Sequence, residues 1–524
     1  MFKFGLKNVR RLKEVNPIDI RPITVLVGRN SSGKSTFLRT FPLLRQSLMT
    51  KTSSPILWYG DLVDFGTFKG VASENKLTNP IVFTFILDAI SISEGPYAFL
   101  SSNSLEDVPV GPITVELRIS GYNNKTVLSG FRLSIDSEDV VFDAAIDEKG
   151  ELEALTINNK SADILLKHHK LTFELGAIFP NIFMLPGHSD QIPGYYMQTP
   201  FAILLAIRDL IAPHLDKRLS EHQLTKIASE LLTLRSFGSI ELEMLQGSTN
   251  VRSFAKLIAD MRGKNVKKLK DDVRSLVLLS RFTNASVAAF QHLTELLSGT
   301  LYIGPMRARS ERYYRYQDLA VSEIDPDGKN FPMFLNSLTE RQQRSFSNWV
   351  QNRFGYGVQV SQLEGHISIN LTVGKTSTNI VDNGYGISQV LPVLGQIWWA
   401  SSKPEARGPN NENAHAKILA IEQPELHLHP AHQALIADAM VGEYSKSSRP
   451  RGQPLHFLVE THSEALINRL GELVVDEKIN HEDIQILVFE NDLDDEFKTN
   501  VRIAEFSSEG TLKNWPYGFF QPVL

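Results

Sequence analysis

Apolar and polar positions divide the chain into stretches of different periodicity. Phe2 to Asn8 alternates apolar with polar residues and predicts a half-buried strand. Ile18 to Ile20 predicts a second, short one, leading into Pro22-Ile23-Thr24-Val25-Leu26-Val27, an apolar run suited to a strand buried on both faces. A glycine-rich turn follows. Phe37, Leu38, Phe41, Leu44 and Leu48 then recur at helical spacing and predict a helix from Ser35 to about Met49, with Pro42 set against its middle. Between about residues 77 and 160 the pattern becomes alternating, as in Val82 to Leu87, Ile113 to Leu117 and Val127 to Phe131. Asn123-Asn124 and Asp147-Glu148-Lys149-Gly150 read as hairpin turns within it, so an antiparallel meander is expected. From roughly Thr199 to Leu297 helical spacing takes over, as in Ala202, Leu205, Ile207, Leu210 and Ile211, then Leu276, Leu279 and Phe282. Strands return at Leu301-Tyr302-Ile303, and Ser401 to Ala414, rich in Pro, Gly, Ser and Asn, reads as an exposed loop.

Composition narrows the class. A chain of 524 residues exceeds what one hydrophobic core supports, so one large composite domain with insertions, or two to three packed units, is expected. Hydrophobic residues at 42% and charged residues at 22% are ordinary for a folded globular chain. The absence of cysteine removes disulfide frameworks, Cys-ligated zinc and thiol nucleophiles from consideration. No stretch approaches about eighteen uncharged apolar residues, so no membrane association is expected and the chain reads as cytoplasmic. With a net charge of -5, any nucleic-acid binding must come from a local basic patch.

Three segments carry chemistry. Gly28-Arg29-Asn30-Ser31-Ser32-Gly33-Lys34-Ser35 matches the phosphate-loop pattern G-x-x-x-x-G-K-[ST], after an apolar strand and before a helix. Its glycines let backbone amides and the helix N-terminus face a phosphate; Lys34 suits the β- and γ-phosphates and the Ser35 hydroxyl suits Mg2+. Lys417 to Glu425 is a buried strand ending in carboxylates at its C-terminal edge, which places Glu422 to hold Mg2+ beside Ser35. His456 to Ser463 is a second apolar strand ending in Glu-Thr-His-Ser, where His462 can reach a γ-phosphate or an attacking water. His427, His429 and His432 cluster after the acidic strand; with Pro430 among them, a turn making inter-subunit contacts is expected ahead of a metal site.

Together these residues resemble the ABC ATPase heads of the SMC, RecF and OLD group. Asn383-Gly384-Tyr385-Gly386-Ile387-Ser388-Gln389, followed by Val390-Leu391-Pro392, resembles that group's divergent signature loop, with Ser388 expected to cap a helix pointing at an anion. The resemblance implies a mixed α/β ABC-ATPase head: a sheet carrying the phosphate loop, an antiparallel β lobe and a large helical insertion. It implies ATP and Mg2+ as cofactors and a homodimer or higher oligomer in which the signature loop meets the γ-phosphate bound by the other subunit. ATP contacts are then expected from Gly28, Asn30, Ser31, Ser32, Gly33, Lys34, Ser35 and Thr36 in one subunit and Gly384, Gly386, Ser388 and Gln389 in the other. Ser35 and Glu422 would hold the metal, Leu426 to Pro430 would be the D-loop, and Lys34, Glu422, Gln423 and His462 would form the catalytic set. The sequence departs from the group twice. Gln423 stands where most ABC proteins carry the glutamate that polarises water, so turnover is expected to be slow or to depend on Glu425 or His462. No convincing Q-loop glutamine is found; Asp64-Phe65-Gly66 lies in the right region without matching.

Tyr302 to Arg307 and Trp515 to Phe520 further resemble elements of stand-alone bacterial ATPases such as the PtuA ATPases of Septu systems and retrons. That likeness implies an anti-phage defence complex with an HNH nuclease and, in retrons, a reverse transcriptase with its RNA-DNA product. The alternatives are a DNA-repair or chromosome-associated ATPase that binds DNA directly, and a transporter subunit. Asp492, Asp494 and Asp495 lie between two alternating runs and read as a solvated hairpin turn, not a Toprim nuclease site. Lys264, Lys267, Lys268 and Lys270, with Arg262 and Arg274, form either a solvated helix face or a nucleic-acid stripe. Arg307, Arg309, Arg312 and Arg315, interleaved with Tyr313, Tyr314 and Tyr316, suit nucleic acid or a subunit interface. The expected organisation is residues 1–75 as the N-terminal part of the head, 76–180 as the β lobe, 195–300 as the helical insertion and 301–524 as the C-terminal part of the head.

Overall fold

The computed structural model describes residues 2–75, 79–92, 108–123, 125–161, 169–173, 176–186, 199–234, 239–263, 266–318, 321–401, 417–447, 454–492, 494–495, 498–516 and 519. Its centre is a seven-stranded sheet in which Ile23–Gly28 lies between Leu455–Glu460 and Ile484–Asn491, parallel to both. Lys417–Glu422 pairs in parallel with the outer side of Leu455–Glu460, and Leu301–Ile303 continues beyond it. On the other side Thr499–Phe506 and Leu512–Lys513 add antiparallel strands.

The apolar runs in these strands follow from burial on both faces. Alternate residues enter different cores. Ile23, Val25 and Val27 join Leu419, Ile421, Phe457, Val459, Ile486 and Val488 in one. Leu26 joins Ile418, Ala420, Leu458, Leu487 and Phe489 in the other. Fully burying such a side chain contributes roughly 1.5–3 kcal/mol, so the sheet is fixed from both sides. Helices Tyr385–Ser401, Pro430–Ser447 and Glu464–Val475 cover the first face, presenting Leu391, Leu394, Ile436, Met440, Ile467 and Leu470.

Helix Lys34–Met49 covers the second face and continues through Pro42 without breaking. Phe37 packs against Phe489 of the central sheet at 5.8 Å between ring centroids and against Phe4 at 5.6 Å. Phe4 belongs to an eight-stranded antiparallel sheet on the far side of the helix, built from Phe2–Val9, Leu12–Asp19, Ile81–Leu87, Ile113–Tyr122, Lys125–Ile135, Val140–Ile146, Leu152–Ile157 and Lys160–Ser161. The expected strand at Ile18–Ile20 is part of the longer Leu12–Asp19. That strand lies at the sheet edge, where Glu14 is exposed and Pro17 needs no donor for the ladder. The meander expected from the hairpin turns is present, Tyr122 pairing with Lys125 and Gly150 closing its turn on the Asp147 carbonyl.

Between the β strands and Leu301 run helices Thr199–Ile211, Glu221–Leu232, Ser239–Ser248, Arg252–Arg262 and Lys267–Ser298. The last of these anchors on the antiparallel sheet through Phe282, which stacks on Phe131 at 5.5 Å and meets Phe142 at 5.2 Å. The overall architecture is mixed α/β, as expected from the sequence, with an antiparallel lobe and a helical insertion. Among the described residues no helix is long and apolar enough to cross a membrane. The loop expected at Ser401 to Ala414 lies outside the described residues beyond Ser401.

Removing the Phe282 ring takes away its packing on both Phe131 and Phe142, one of the contacts that join helix and lobe. Phe282→Ala should therefore destabilise the protein by about 3–5 kcal/mol, read as a lower urea midpoint; an unchanged midpoint would contradict this packing.

Candidate nucleotide site

The phosphate loop leaves the central strand with backbone geometry that only glycine meets easily. Gly28 has φ 151° and Gly33 φ 95°, and a side chain at Gly28 would collide with the Phe489 carbonyl of the adjacent strand. Helix Lys34–Met49 begins with no side-chain cap and no acidic residue in its first turn, a start suited to an anion. Lys34 arches back over the loop, its Nζ donating to the Gly28 carbonyl at 3.0 Å and the Arg29 carbonyl at 2.8 Å. Ser32 is fully buried, and its hydroxyl has no partner among the described residues. Arg29, Asn30 and Ser31 are exposed along the loop, while Thr36 is buried in the helix behind it. The loop thus fits a polyphosphate: it combines a buried cation, an orphaned buried hydroxyl and a helix start.

Three carboxylates converge at the ends of two adjacent strands. Glu422 ends the acidic strand and is 2% exposed; Glu460 ends its neighbour and is 3% exposed; Glu425 follows in the next turn, also buried. Glu422, expected beside Ser35, is instead held in a fork by Arg39, with Nε at 2.6 Å and Nη2 at 2.8 Å, and accepts the Tyr302 hydroxyl at 2.7 Å. This hydrogen bonding to Glu422 raises the pKa of Arg39, while burial and then the neighbouring negative charge raise that of Tyr302. The carboxylate at Ser35 is Glu460: Ser35 Oγ donates to Glu460 Oε2 at 2.6 Å, and Lys34 Nζ is 3.8 Å from Oε1. Burial raises the pKa of Glu460 and lowers that of Lys34, and their mutual attraction opposes both shifts.

Sequence reading missed Glu460, although the signal was present as a charged residue closing the apolar run His456 to Val459. It also missed Arg39, whose position on an otherwise core-facing helix is the corresponding clue. Arg307 was expected in an exposed cluster suited to nucleic acid or a subunit interface. It is buried, donating through Nη1 to the Gln423 carbonyl at 2.9 Å and through Nη2 to the Glu422 carbonyl at 2.7 Å, so it clasps the end of the acidic strand. Burial lowers its pKa to about 10.

Gln423 leaves the strand with φ 45°. His462 lies exposed at the mouth of the site, its backbone amide bound to Glu425 Oε1 at 2.7 Å. Desolvation of its ring and then the Lys34 charge lower its pKa, favouring the neutral imidazole. Glu425 has its own pKa raised by burial, with the His462 amide and Arg307 opposing.

The signature segment makes different contacts. Its helix starts at Tyr385, a turn earlier than a Ser388 cap requires; Ser388 is buried within it and donates to the Tyr385 carbonyl at 2.7 Å. Gln389 is buried too and donates to the Ala308 carbonyl at 3.0 Å, so neither side chain is presented to an external ligand. The burial of Val390, Leu391 and Leu394 draws this turn into the core and accounts for the correction. Gly384 is exposed with φ 86°, and Gly386 lies so close to the His427 carbonyl that a side chain would strike it. The Tyr385 ring meets His427 edge-on at 4.9 Å, which joins the signature turn to the turn after the acidic strand. His429 accepts the Ala431 amide and His432 packs on Phe354. Among the described residues no group of three His, Cys, Asp or Glu side chains is placed to hold a metal by itself.

Residues 218–467, just under half of the chain, match a family model described as an AAA ATPase domain, and residues 479–521 match a protein family of unknown function, DUF3696. No curated protein matches the chain. Similar solved structures include the Smc head domain of Pyrococcus furiosus with an extended coiled coil, bound to the C-terminal domain of ScpA. It shows 13% identity over 96% of this chain and 97% of that one, with a TM-score of 0.33. The SMC head domain from Thermotoga maritima shows 10% identity over 95% and 97%, with a TM-score of 0.30. The recombination mediator RecF, solved with ATPrS, shows 8% identity over 95% and 97%, with a TM-score of 0.27. Residues 218–467 thus resemble an ATPase domain, and the phosphate loop, which lies outside the matched range, leaves a strand of the same sheet.

The raised pKa of Glu425 has a directional consequence. The stability contributed by its protonated form is fully present below the unfolded value and is lost as pH rises through the folded value. Glu425→Gln keeps an acceptor for the His462 amide without a charge to bury. Its melting temperature relative to wild type should rise between about pH 5 and about pH 8; a constant difference would show that the charge is already compensated.

Proposed function

We propose that the chain is an ATP-hydrolysing head that works as a homodimer. Each nucleotide is held by the phosphate loop of one copy and capped by the Gly384–Gly386 turn of the second. The observation that carries this reading is the phosphate loop, with buried Lys34, orphaned Ser32 and an uncapped helix start beside two strand-end carboxylates. Lys34 would leave the loop carbonyls for the β- and γ-phosphates, and Ser35 with a strand-end carboxylate would hold Mg2+. The ion supplies neutralisation of the charge that develops on the transferred phosphoryl group. Gln423 orients water without accepting its proton, which leaves Glu425 or neutral His462 for that task and makes turnover slow. ATP favours the closed dimer only to the extent that it binds that state better than the open one.

The biological role we propose is that of the energy-dependent subunit of an anti-phage defence complex, in which the dimer state controls an HNH-type nuclease. In a retron setting a reverse transcriptase and its RNA-DNA product would join the complex. The likeness of Tyr302 to Arg307 and Trp515 to Phe520 to stand-alone defence ATPases supports this role. The first element touches the site directly, through Tyr302 on the Glu422 carboxylate and Arg307 on the Glu422 carbonyl.

Lys34→Ala should weaken ATP binding at least about tenfold and reduce turnover to background. Wild-type protein should sediment as a dimer with ATP and Mg2+ while the variant does not. Wild-type binding and turnover in both Lys34→Ala and Glu422→Gln would refute the site. For the wider role, a tagged pull-down from native cells with ATP and Mg2+ should recover a stoichiometric nuclease, with RNA-DNA hybrid if a retron is involved. Recovery alone or with repair proteins moves the function to DNA maintenance.

A further inference from the structure

We infer that Glu460, and not Glu422, is the carboxylate that meets the Mg2+ of the bound nucleotide, and that Glu422 is a positioning residue. This rests on the ATP-head reading and deepens it.

The first argument is register. Glu422 and Glu460 are Cα partners on adjacent parallel strands, and Glu460 is in turn the partner of Leu26 on the strand that feeds the phosphate loop. Strands lie about 4.8 Å apart, so Glu460 is one strand from the loop and Glu422 is two. The second argument is who already touches whom. The two loop side chains that serve Mg2+ and phosphate, Ser35 and Lys34, both face Glu460, at 2.6 Å and 3.8 Å. Among the described contacts neither is bonded to Glu422.

The third argument is the saturation of Glu422. Its two oxygens receive three donors, two from the Arg39 guanidinium and one from Tyr302. A carboxylate clamped in a fork by a guanidinium is poorly placed to ligate a cation, because the charge of Arg39 would face the metal directly. Glu460 has no guanidinium on it, and its Ser35 bond is one that a shared cation can replace, since hydroxyl and carboxylate oxygens are both hard-cation ligands. Mg2+ needs only one or two protein carboxylates beside phosphate and water, so no larger acidic cluster is required.

Glu422, with Arg39, Tyr302 and the Arg307 clasp, fixes the strand end from which Gln423 projects.

Mn2+ in place of Mg2+ tests this without relying on turnover. Free Mn2+ is followed by electron paramagnetic resonance as it is titrated into protein saturated with ATPγS, and nucleotide binding in EDTA is measured in parallel. Glu460→Gln should weaken Mn2+ retention at least about tenfold more than Glu422→Gln does, while still binding nucleotide in EDTA. Equal losses, or a larger loss in Glu422→Gln, overturn the assignment. If Glu460→Gln does not fold, Glu460→Asp, which keeps the charge but withdraws it by one methylene, takes its place under the same criterion. Lys34→Ala is the separate control: wild-type nucleotide binding by that variant would defeat the ATP-head reading itself, whatever the two glutamate variants do.

Discussion

Buried negative charge at the ends of two adjacent parallel strands is the constraint on which the site depends. Glu422, Glu425 and Glu460 are all withdrawn from water, and an uncompensated buried carboxylate costs several kcal/mol. Compensation comes from Lys34 and Arg39 on the helix after the phosphate loop, and from Arg307 and Tyr302 in the segment that follows the helical insertion. Apart from the His462 amide on Glu425, these offsetting groups lie far from the acids in sequence. The candidate nucleotide site is therefore also the point at which distant parts of the sequence are tied together electrostatically.

The central sheet makes that tie geometrically firm. Its strands send alternate side chains into two cores, so a register slip by one residue would exchange both apolar sets at once. With register fixed, the carboxylates of Glu422 and Glu460 are held level with each other, and Gly28 of the loop is held against the Phe489 carbonyl. Helix Lys34–Met49 is packed between two sheets by Phe37 and Phe41, which leaves Lys34, Ser35 and Arg39 little freedom to reorient independently.

Much of this was legible in the amino-acid sequence, because local periodicity encodes local burial. The alternating runs between about residues 77 and 160 predicted an antiparallel lobe, and the apolar runs before Gly28, Glu422 and Glu460 predicted the strands of the central sheet. What periodicity does not carry is which polar residue meets which. Arg307 looked like part of a basic patch because sequence shows charge and not burial, and its two backbone acceptors lie more than a hundred residues away. Glu460 was overshadowed by His462, since a histidine invites a chemical role while a lone glutamate at a strand end suggests only a polar boundary. Ser388 was placed at a helix start because glycine-rich turns commonly precede caps; the apolar residues after it pulled the helix start back to Tyr385.

The placement of Ile23–Gly28 between Leu455–Glu460 and Ile484–Asn491 also bears on the protein's synthesis. The strand leading into the phosphate loop leaves the ribosome more than four hundred residues before both its neighbours. During translation the antiparallel lobe and the helices have time to fold by local pairing, while the loop strand must wait with two unpaired edges. A chain interrupted before those late strands holds a phosphate loop without Glu460. Closure of the central sheet around the phosphate-loop strand thus waits until the chain has been made as far as Asn491.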